Sequence, residues 1–220
     1  MAELKNLNDT SLPLVWKYKP GFVDYLEALS IMETTVRSIR QEGTPETIWC
    51  LEHPSIFTAG TSSKDEHLLN NFGFPVYYTG RGGQFTYHGP GQLVVYIMLD
   101  INKRGRDIKA YVNALEHWVI NCLKYFDIRA EQRLGRVGLW VTSQNKIEEK
   151  IASIGVRMTR WVSWHGLSIN IAPDLTHFNG IVPCGITEHG ITSFEKLGIK
   201  ATVEEVQSVM YKTCPFLLKP

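Results

Sequence analysis

The sequence lacks a strong excess of charge of either sign, a long apolar segment and any internal repeat. Its formal net charge is +1, whereas a general nucleic-acid binder usually carries a strong basic excess. The longest clean apolar run, Leu93–Leu99, is far too short to span a bilayer, and the polar residues 1–13 lack the apolar stretch of a signal peptide. We therefore expect no nucleic acid and no membrane among the partners, and a cytoplasmic protein or the mature form of an imported one.

Cysteine is scarce and scattered. The sequence has no C-x-x-C pair and no close cluster of cysteine and histidine, and its four cysteines are Cys50, Cys122, Cys184 and Cys214. This spacing fits neither a disulfide framework nor a zinc site. We therefore expect no metal and no cofactor, and each cysteine is either a packing residue or a reactive group.

Three of these cysteines are predicted to be packing residues. Cys50 lies in a predicted strand, Cys122 lies on the apolar face of a predicted helix, and Cys214 lies near the end of the last helix. Cys184 differs because it lies between a proline and a glycine, in a segment rich in loop-forming residues. Its spacing alone leaves two interpretations equally open: an exposed nucleophile, or a loop cysteine without a role.

The length and pattern predict one domain built from helices and strands. A chain of 220 residues with 44% hydrophobic content is enough for a single domain over residues 1–220, with a short polar extension at about residues 1–13. Apolar spacing predicts a helix over residues 22–40 that ends before Gly43; Asp107 is suited to cap a second helix, and Thr202 with Glu205 a third. Strands are predicted at residues 47–52, 76–79, 93–99, 137–142, 150–158 and 166–171, with loops at 59–63 and 172–190. This order predicts an α/β (α+β) fold with a mostly buried central sheet.

Cys184 would need a partner to act as a nucleophile, because only the thiolate form of cysteine is nucleophilic. Histidine is the usual partner and lysine is the other option, and the candidates are His88, His165, His177, His189 and Lys150. Lys150 begins an otherwise apolar predicted strand, where a lysine is more often a solvated charge at the strand end.

A second candidate site is the glycine-rich segment 81–92, which lies between two predicted strands. Four glycines within it would let backbone N–H groups line a cavity and hold an oxyanion, a carbonyl or a phosphate. The segment lacks the Gly-Lys-Ser/Thr ending of a Walker loop and does not lead into a helix as a dinucleotide-binding GxGxxG does. The order of Arg81, two glycines, Thr86, an aromatic residue and His88 is more specific than glycine content alone.

Residues 81–96 resemble the signature of the lipoyl(octanoyl) transferases. The positions that carry the resemblance are Arg81, Gly82, Gly83, Thr86, Tyr87, His88, Gly91, Gln92 and Tyr96. Three further segments are similar to the family: residues 51–60, the lysine motif at 150–155, and the cysteine segment at 165–186. The resemblance covers roughly residues 20–210, and its small departures, such as the Gly-Leu-Trp at 138–140, remove no chemical group.

The resemblance implies a fold, an activity and a set of site residues. The fold would be the mixed sheet packed with helices that biotin and lipoate protein ligases share. Cys184 would take an octanoyl (or lipoyl) group from octanoyl-acyl carrier protein as a thioester, and Lys150 would lower the thiol pKa and transfer protons. The acceptors would be lysines on the lipoyl domains of 2-oxoacid dehydrogenases and on the glycine cleavage H protein. The residues expected to line the acyl site are Arg81, Gly82, Gly83, Gln84, Phe85, Thr86, Tyr87, His88, Ser153, Ile154, Gly155, Gly166, Leu167 and Ser168.

Two rival functions and one residue role stay open at this point. One rival is an ATP-dependent lipoate or biotin ligase on the same fold, which would need no cysteine nucleophile. The other is a non-catalytic module that binds acyl carrier or lipoyl domains. His88 has two open roles: it orients a loop or the acyl carbonyl, or it only hydrogen-bonds the backbone.

Overall fold

The computed structural model describes residues 14–143, 146–182 and 189–216. Within these ranges the strands are β1 (Leu14–Phe22), β2 (Glu46–Glu52), β3 (Ile56–Ala59), β4 (Val76–Tyr78), β5 (Phe85–His88), β6 (Gln92–Met98), β7 (Glu131–Arg133), β8 (Arg136–Thr142), β9 (Glu148–Thr159), β10 (Val162–Asn170) and β11 (Gly190–Ile191). The helices are α1 (Tyr25–Glu42), α2 (Ile108–Lys124) and α3 (Val203–Thr213).

Most strands join one large mixed sheet. Its order is β1-β2-β6-β10-β9-β8-β7, and β11 also pairs with β9. The β1–β2 and β11–β9 pairs are parallel, and the other pairs are antiparallel. A small second sheet has the order β4-β3-β5 and carries the middle of the glycine-rich segment. The predicted fold class, a mixed sheet packed with helices, is confirmed.

Strand β6 lies in the middle of the large sheet and is buried along its whole length. Leu93, Val95 and Ile97 pack with residues of α2 and α3, whereas Tyr96 and its neighbours of the same parity pack with α1. Because both faces are covered by helices, this strand has no polar alternation. The prediction of a doubly buried strand is therefore confirmed.

The helices begin and end at residues with identifiable capping roles. Asp24 accepts hydrogen bonds from two backbone N–H groups of the first turn of α1, and Gly43 ends that helix with a φ of 64°. Helix α1 starts three residues later than predicted because Phe22 belongs to β1. The predicted cap at Asp107 and the predicted capping box at the start of α3 are confirmed. No helix in the described part of the chain is long and apolar enough to cross a membrane.

Candidate functional site

A cleft of about 280 Å³ lies between the large sheet and the glycine-rich segment. This volume is just below the usual range for ligand pockets, roughly 300–1,000 Å³. Strands β6, β9 and β10 form its floor, and residues of the segment 81–88 lie across it. The cleft can therefore hold one small ligand on the face of the sheet.

The floor of the cleft is made from small residues that pair across neighbouring strands. Ser153 of β9 pairs with Ser168 of β10, and Gly155 pairs with Gly166. A Cβ atom at Gly166 would lie 2.1 Å from the carbonyl oxygen of Val95, and one at Gly155 would lie 3.0 Å from the carbonyl oxygen of the overlying loop. A larger residue at Gly155 would fill the space under the loop, whereas one at Gly166 would collide with the backbone of β6 and with Ile97 of the core.

Arg81 holds the glycine-rich segment in place above the groove. Its guanidinium donates hydrogen bonds to the carbonyl oxygens of Thr58 (2.8 Å), Gln84 (2.9 Å) and Gly82 (2.9 Å). The N–H of Gly82 in turn donates to the carbonyl of Val156 on β9 (2.9 Å). Arg81 therefore shapes the loop, and the Gly82 N–H is used to attach the loop to the sheet.

Lys150 reaches the cleft because β9 carries one extra residue. Leu139 of β8 pairs with Ala152, whereas the next residue, Trp140, pairs with Lys150, so Ile151 has no opposite residue. Regular alternation would put Lys150 on the same face as Ala152, in the core. The bulge turns its side chain to the other face, where it lines the cleft.

The side chain of Lys150 is packed rather than solvated. The residue is 4% exposed, and Nζ donates a hydrogen bond to the carbonyl oxygen of Val137 (3.1 Å). The same Nζ lies 4.7 Å from the centre of the Trp140 ring, a cation–π distance. A Cβ atom at Gly138 would lie 3.3 Å from the Lys150 Cε, so the glycine leaves room for the lysine chain. The common interpretation of such a lysine, a solvated charge at a strand end, is therefore wrong here.

Cys184 lies outside the described residues, in the segment 183–188. On one side of that segment, the N–H of Val182 donates to the carbonyl of His67 (2.9 Å). On the other side, Ile191 pairs with Lys150, and the N–H of Thr192 donates to the Lys150 carbonyl (3.0 Å). The chain that carries Cys184 therefore resumes beside Lys150.

The other three cysteines are buried, as predicted for packing residues. Cys50 and Cys122 are fully buried, and Cys214 is 1% exposed. Burial raises the pKa of the Cys50 thiol well above its ordinary value and raises that of Cys122 to about 12. A thiol that stays protonated in the core is a poor nucleophile.

A chain of side-chain hydrogen bonds sets the protonation of His88. The carbonyl of Thr192 can only accept, so Asn170 Nδ2 donates to it (3.0 Å) and Asn170 Oδ1 accepts from Gln92 Nε2 (2.9 Å). Gln92 Oε1 must then accept from Nδ1 of His88 (2.6 Å). Burial, together with the nearby His53, lowers the pKa of His88 to about 3, so the ring is neutral. His88 therefore carries its proton on Nδ1 and has a lone pair on Nε2.

Most residues expected to line an acyl site meet in the cleft. The lining residues from that set are Arg81, Gly83, Gln84, Phe85, Thr86, His88, Ser153, Ile154, Gly155, Gly166, Leu167 and Ser168, together with Lys150. Gly82 is not a lining residue because its backbone joins the loop to β9. Tyr87 is turned away from the cleft and packs against Phe57 and Phe178, with its hydroxyl 2.9 Å from His177 Nδ1.

Several lining residues escaped the sequence analysis. Tyr25, Thr58, Val137 and Ile191 all contribute to the cleft. Tyr25 is the first residue of α1, and the apolar spacing of a helix does not indicate that it lines a cleft. The other three depend on strand pairing between distant segments, which leaves no local pattern.

Comparison with known proteins identifies the family. Residues 24–214 match the model described as Lipoyl protein ligase A/B catalytic domain. The chain is 51% identical over 206 residues to an octanoyltransferase of Cereibacter sphaeroides (strain ATCC 17025 / ATH 2.4.3), covering 90% of this chain and 94% of that protein. It is 50% identical over 202 residues to an octanoyltransferase of Bartonella quintana (strain Toulouse), covering 88% of this chain and 82% of that protein.

Solved structures share the fold at much lower sequence identity. Lipoate-protein ligase A bound with ATP aligns with a TM-score of 0.69 and 16% identity, covering 94% of this chain and 87% of that chain. A bi-partite lipoate protein ligase from Thermoplasma acidophilum aligns with a TM-score of 0.66 and 15% identity, covering 92% and 82%. The similarity to solved structures shows the fold, and the family model together with the relatives at 51% and 50% identity shows the family. The chain therefore belongs to the lipoyl protein ligase A/B catalytic domain family, and within it to the octanoyltransferases.

Proposed function

We propose that this enzyme moves an octanoyl group from acyl carrier protein to Cys184 and then to a lysine of a lipoyl domain. The observation that carries the proposal is the buried Lys150 at one end of a small groove, beside the point where the Cys184 segment rejoins the sheet. Membership of the octanoyltransferases supports the choice of acyl group. The lipoyl domains of 2-oxoacid dehydrogenases and the glycine cleavage H protein are the proposed acceptors.

The groove suits a medium-length acyl chain. Its apolar lining includes Phe85, Val94, Ile154, Leu167 and Phe178. Each buried CH₂ group contributes about 0.8 kcal/mol of transfer free energy, so an eight-carbon chain gains several kcal/mol over an acetyl group. The small residues of the floor let such a chain lie flat against the sheet.

The first step exchanges one thioester for another. The Cys184 thiolate attacks the carbonyl carbon of the octanoyl thioester, the bond to the carrier sulfur breaks, and the leaving thiolate takes a proton from the Lys150 ammonium. A nearby positive charge favours the thiolate, which is the reactive form of Cys184. Because one thioester replaces another, the free energies nearly balance and no ATP is needed.

The second step forms an amide. The neutral amine of the acceptor lysine attacks the carbonyl carbon of the Cys184 thioester, the carbon–sulfur bond breaks, and neutral Lys150 takes the excess proton of the amine. This restores the thiolate and ammonium for another cycle. The Nε2 lone pair of His88 is suited to accept a hydrogen bond from the incoming amine, but it has no proton to donate to the acyl carbonyl. Formation of an amide from a thioester is downhill and drives the transfer.

Mass spectrometry of the intact protein tests the acyl-enzyme. After incubation with octanoyl-acyl carrier protein, we expect one hydroxylamine-sensitive octanoyl adduct on the wild type and none on Cys184→Ser at that position. We expect Lys150→Ala to form the adduct at least about a hundredfold more slowly, since it removes the proposed proton donor. The exposed Lys146 provides a matched control, and Lys146→Ala should form the adduct at the wild-type rate.

Three results would contradict the proposal. Octanoyl transfer to a lipoyl domain that proceeds equally well in Cys184→Ser would exclude the covalent route. Transfer that uses free octanoate and requires ATP would instead identify a ligase. Stable binding of the acyl carrier without any transfer would point to the binding module.

A further inference from the structure

Two buried polar atoms face the end of the groove farthest from Lys150. The hydroxyl of Tyr25 and Nε2 of His165 have no hydrogen-bond partner among the described residues. Both residues line the cleft, and they are only 2% and 3% exposed. A buried polar atom without a partner is unfavourable, so each atom needs a polar group that the protein itself does not supply.

The neighbouring polar groups are already engaged with one another. Nδ1 of His53 donates to the carbonyl of Val23 (2.7 Å), so Nε2 of His53 accepts from the Tyr96 hydroxyl (2.6 Å). The Tyr96 hydroxyl therefore donates its proton to His53 and cannot donate to His165, although the Tyr96 ring lies between the rings of these two histidines. The Tyr25 hydroxyl and His165 Nε2 are left as the groups directed at a ligand or solvent molecule.

Strand register puts His165 at one end of the groove. His165 pairs with Val156 of β9, next to the Gly155–Gly166 pair. Gly155 lies five residues from Lys150, which corresponds to roughly 15 Å of strand. Successive ring contacts connect Tyr25 to His165: Tyr25 contacts His53, His53 contacts Tyr96, and Tyr96 contacts His165.

The length of this groove corresponds to a medium acyl chain. An extended octanoyl chain spans roughly 9 Å with C–C bonds of about 1.5 Å. If its carbonyl lies a few ångströms from the Lys150 ammonium, its last methyl group reaches the region of the Gly155–Gly166 pair. The rings of Tyr25, Tyr96 and His165 stand just beyond that point.

We propose that the Tyr25 hydroxyl and His165 Nε2 form a polar end wall that limits the bound acyl chain to about eight carbons. This inference rests on the proposed function and assigns chain-length selection to these two residues. A longer chain would press methylene groups against both polar atoms and exclude water from them. An octanoyl chain ends before it reaches them, so their hydration is kept.

The test compares octanoyl and decanoyl chains in matched tyrosine variants. Tyr25→Phe removes only the hydroxyl that faces the groove. Tyr77→Phe is the control: the Tyr77 ring stacks on that of Tyr25 at a centroid distance of 4.7 Å, but Tyr77 does not line the cleft. We expect the wild-type ratio of kcat/KM for octanoyl over decanoyl carrier protein to fall about tenfold in Tyr25→Phe. The ratio in Tyr77→Phe should equal that of the wild type.

A second variant and a second measurement keep the result interpretable. His165→Asn should shift the ratio in the same direction, and asparagine tolerates the positive φ of 55° at this position. Binding of free octanoic and decanoic acids to the Cys184→Ser background, measured by calorimetry, should show the same change of preference without any transfer step. Absence of acyl-enzyme with an intact binding preference would overturn the proposed function but not the end wall.

An unchanged ratio in both Tyr25→Phe and His165→Asn, with thermal unfolding close to that of the wild type, would overturn the end wall. An equal loss of activity with both chain lengths would also overturn it, because the two groups would then act on the reacting end. Either result can be read from the same set of kinetic measurements.

Discussion

At the scale of single residues, hydrogen-bond direction decides what His88 can do. A backbone carbonyl at Thr192 has no proton, and this fixes the orientation of Asn170, then of Gln92, and finally the tautomer of His88. Gln92 Nε2 also donates to the carbonyl of Tyr87 (3.2 Å), which points to the same orientation. His88 therefore bonds to a side chain, so the role of bonding only the backbone is wrong, while the role of orienting a loop remains a prediction.

Gln92→Leu should release His88 from its single tautomer. Leucine keeps much of the volume but removes the acceptor for Nδ1, so the proton can move to Nε2 and remove the lone pair from the cleft. Since one such hydrogen bond contributes about 0.5–1.5 kcal/mol, we expect transfer to the acceptor amine to slow by up to about tenfold, with a smaller effect on formation of the acyl-enzyme. Imidazole ¹⁵N NMR gives the tautomer directly, and single-turnover kinetics separate the two steps. A wild-type spectrum with the proton on Nε2 would contradict the assignment.

At the scale of secondary-structure elements, the bulge in β9 and a glycine in β8 present Lys150 together. The bulge at Ile151 turns the lysine into the cleft, and Gly138 has a φ of 113°, which residues with a side chain rarely adopt. The same glycine donates its N–H to Oε1 of Glu116 (3.1 Å) on α2. The position of the lysine thus depends on two paired strands and a helix.

Gly138→Ala should disturb Lys150 as well as the backbone. The new Cβ would lie 2.6 Å from the Ala152 carbonyl and 3.3 Å from Lys150 Cε, so the strand or the lysine must shift. Gly105→Ala is the matched control, because Gly105 also has a positive φ, 93°, but no atom within 4 Å of the added methyl group. We expect both variants to lose about 1–2 kcal/mol of unfolding free energy from the backbone, with a larger loss in Gly138→Ala. Only Gly138→Ala should slow acylation of Cys184, and equal rates in the two variants would contradict this coupling.

The same elements show what could be predicted from the sequence. Helical spacing and capping residues predicted all three helices, because these signals are local. The strands Leu14–Phe22 and Ile56–Ala59 were missed: the first contains Pro and Gly near its end, and the second is too short for periodicity. The bulge that turns Lys150 into the cleft exists only through pairing with β8, so no pattern within β9 could indicate it. The family motifs still predicted a group of residues that the fold brings into one cleft, although their roles remain predictions.

At the scale of the whole molecule, the cleft region carries three buried histidines, His53, His88 and His165. Burial lowers the pKa of His53 to about 4 and of His165 to about 3, and it does the same for His88, whose pKa is about 3. All three are neutral in the folded protein at neutral pH. An unfolded chain would protonate them near their ordinary value of about 6.5.

This difference predicts a loss of stability in weak acid. As the pH falls below about 6.5, the unfolded state binds up to three more protons than the folded state, so the free energy of unfolding decreases with falling pH. The sign follows from the protons that each state binds. Below about pH 6.5 the histidines of the unfolded chain gain protons while those of the folded protein stay neutral, and this favours the unfolded state. Between about pH 7 and about pH 5.5, each histidine should cost about 1.3 kcal/mol of unfolding free energy, and the three together about 4 kcal/mol.

Denaturant unfolding at these two pH values measures the effect. His88→Gln should lower the pH-dependent loss by about 1 kcal/mol whatever its effect on stability at neutral pH, because one proton-binding difference is removed. The exposed His117 is the control, and His117→Gln should leave the pH dependence unchanged. Carboxylates stay mostly ionised in this range, so the slope reports the histidines. A wild-type unfolding free energy that is constant from about pH 7 to about pH 5.5 would show that the three rings accept protons within the fold. His88 would then be doubly protonated at about pH 5.5, and the neutral tautomer assigned to it would be wrong at that pH.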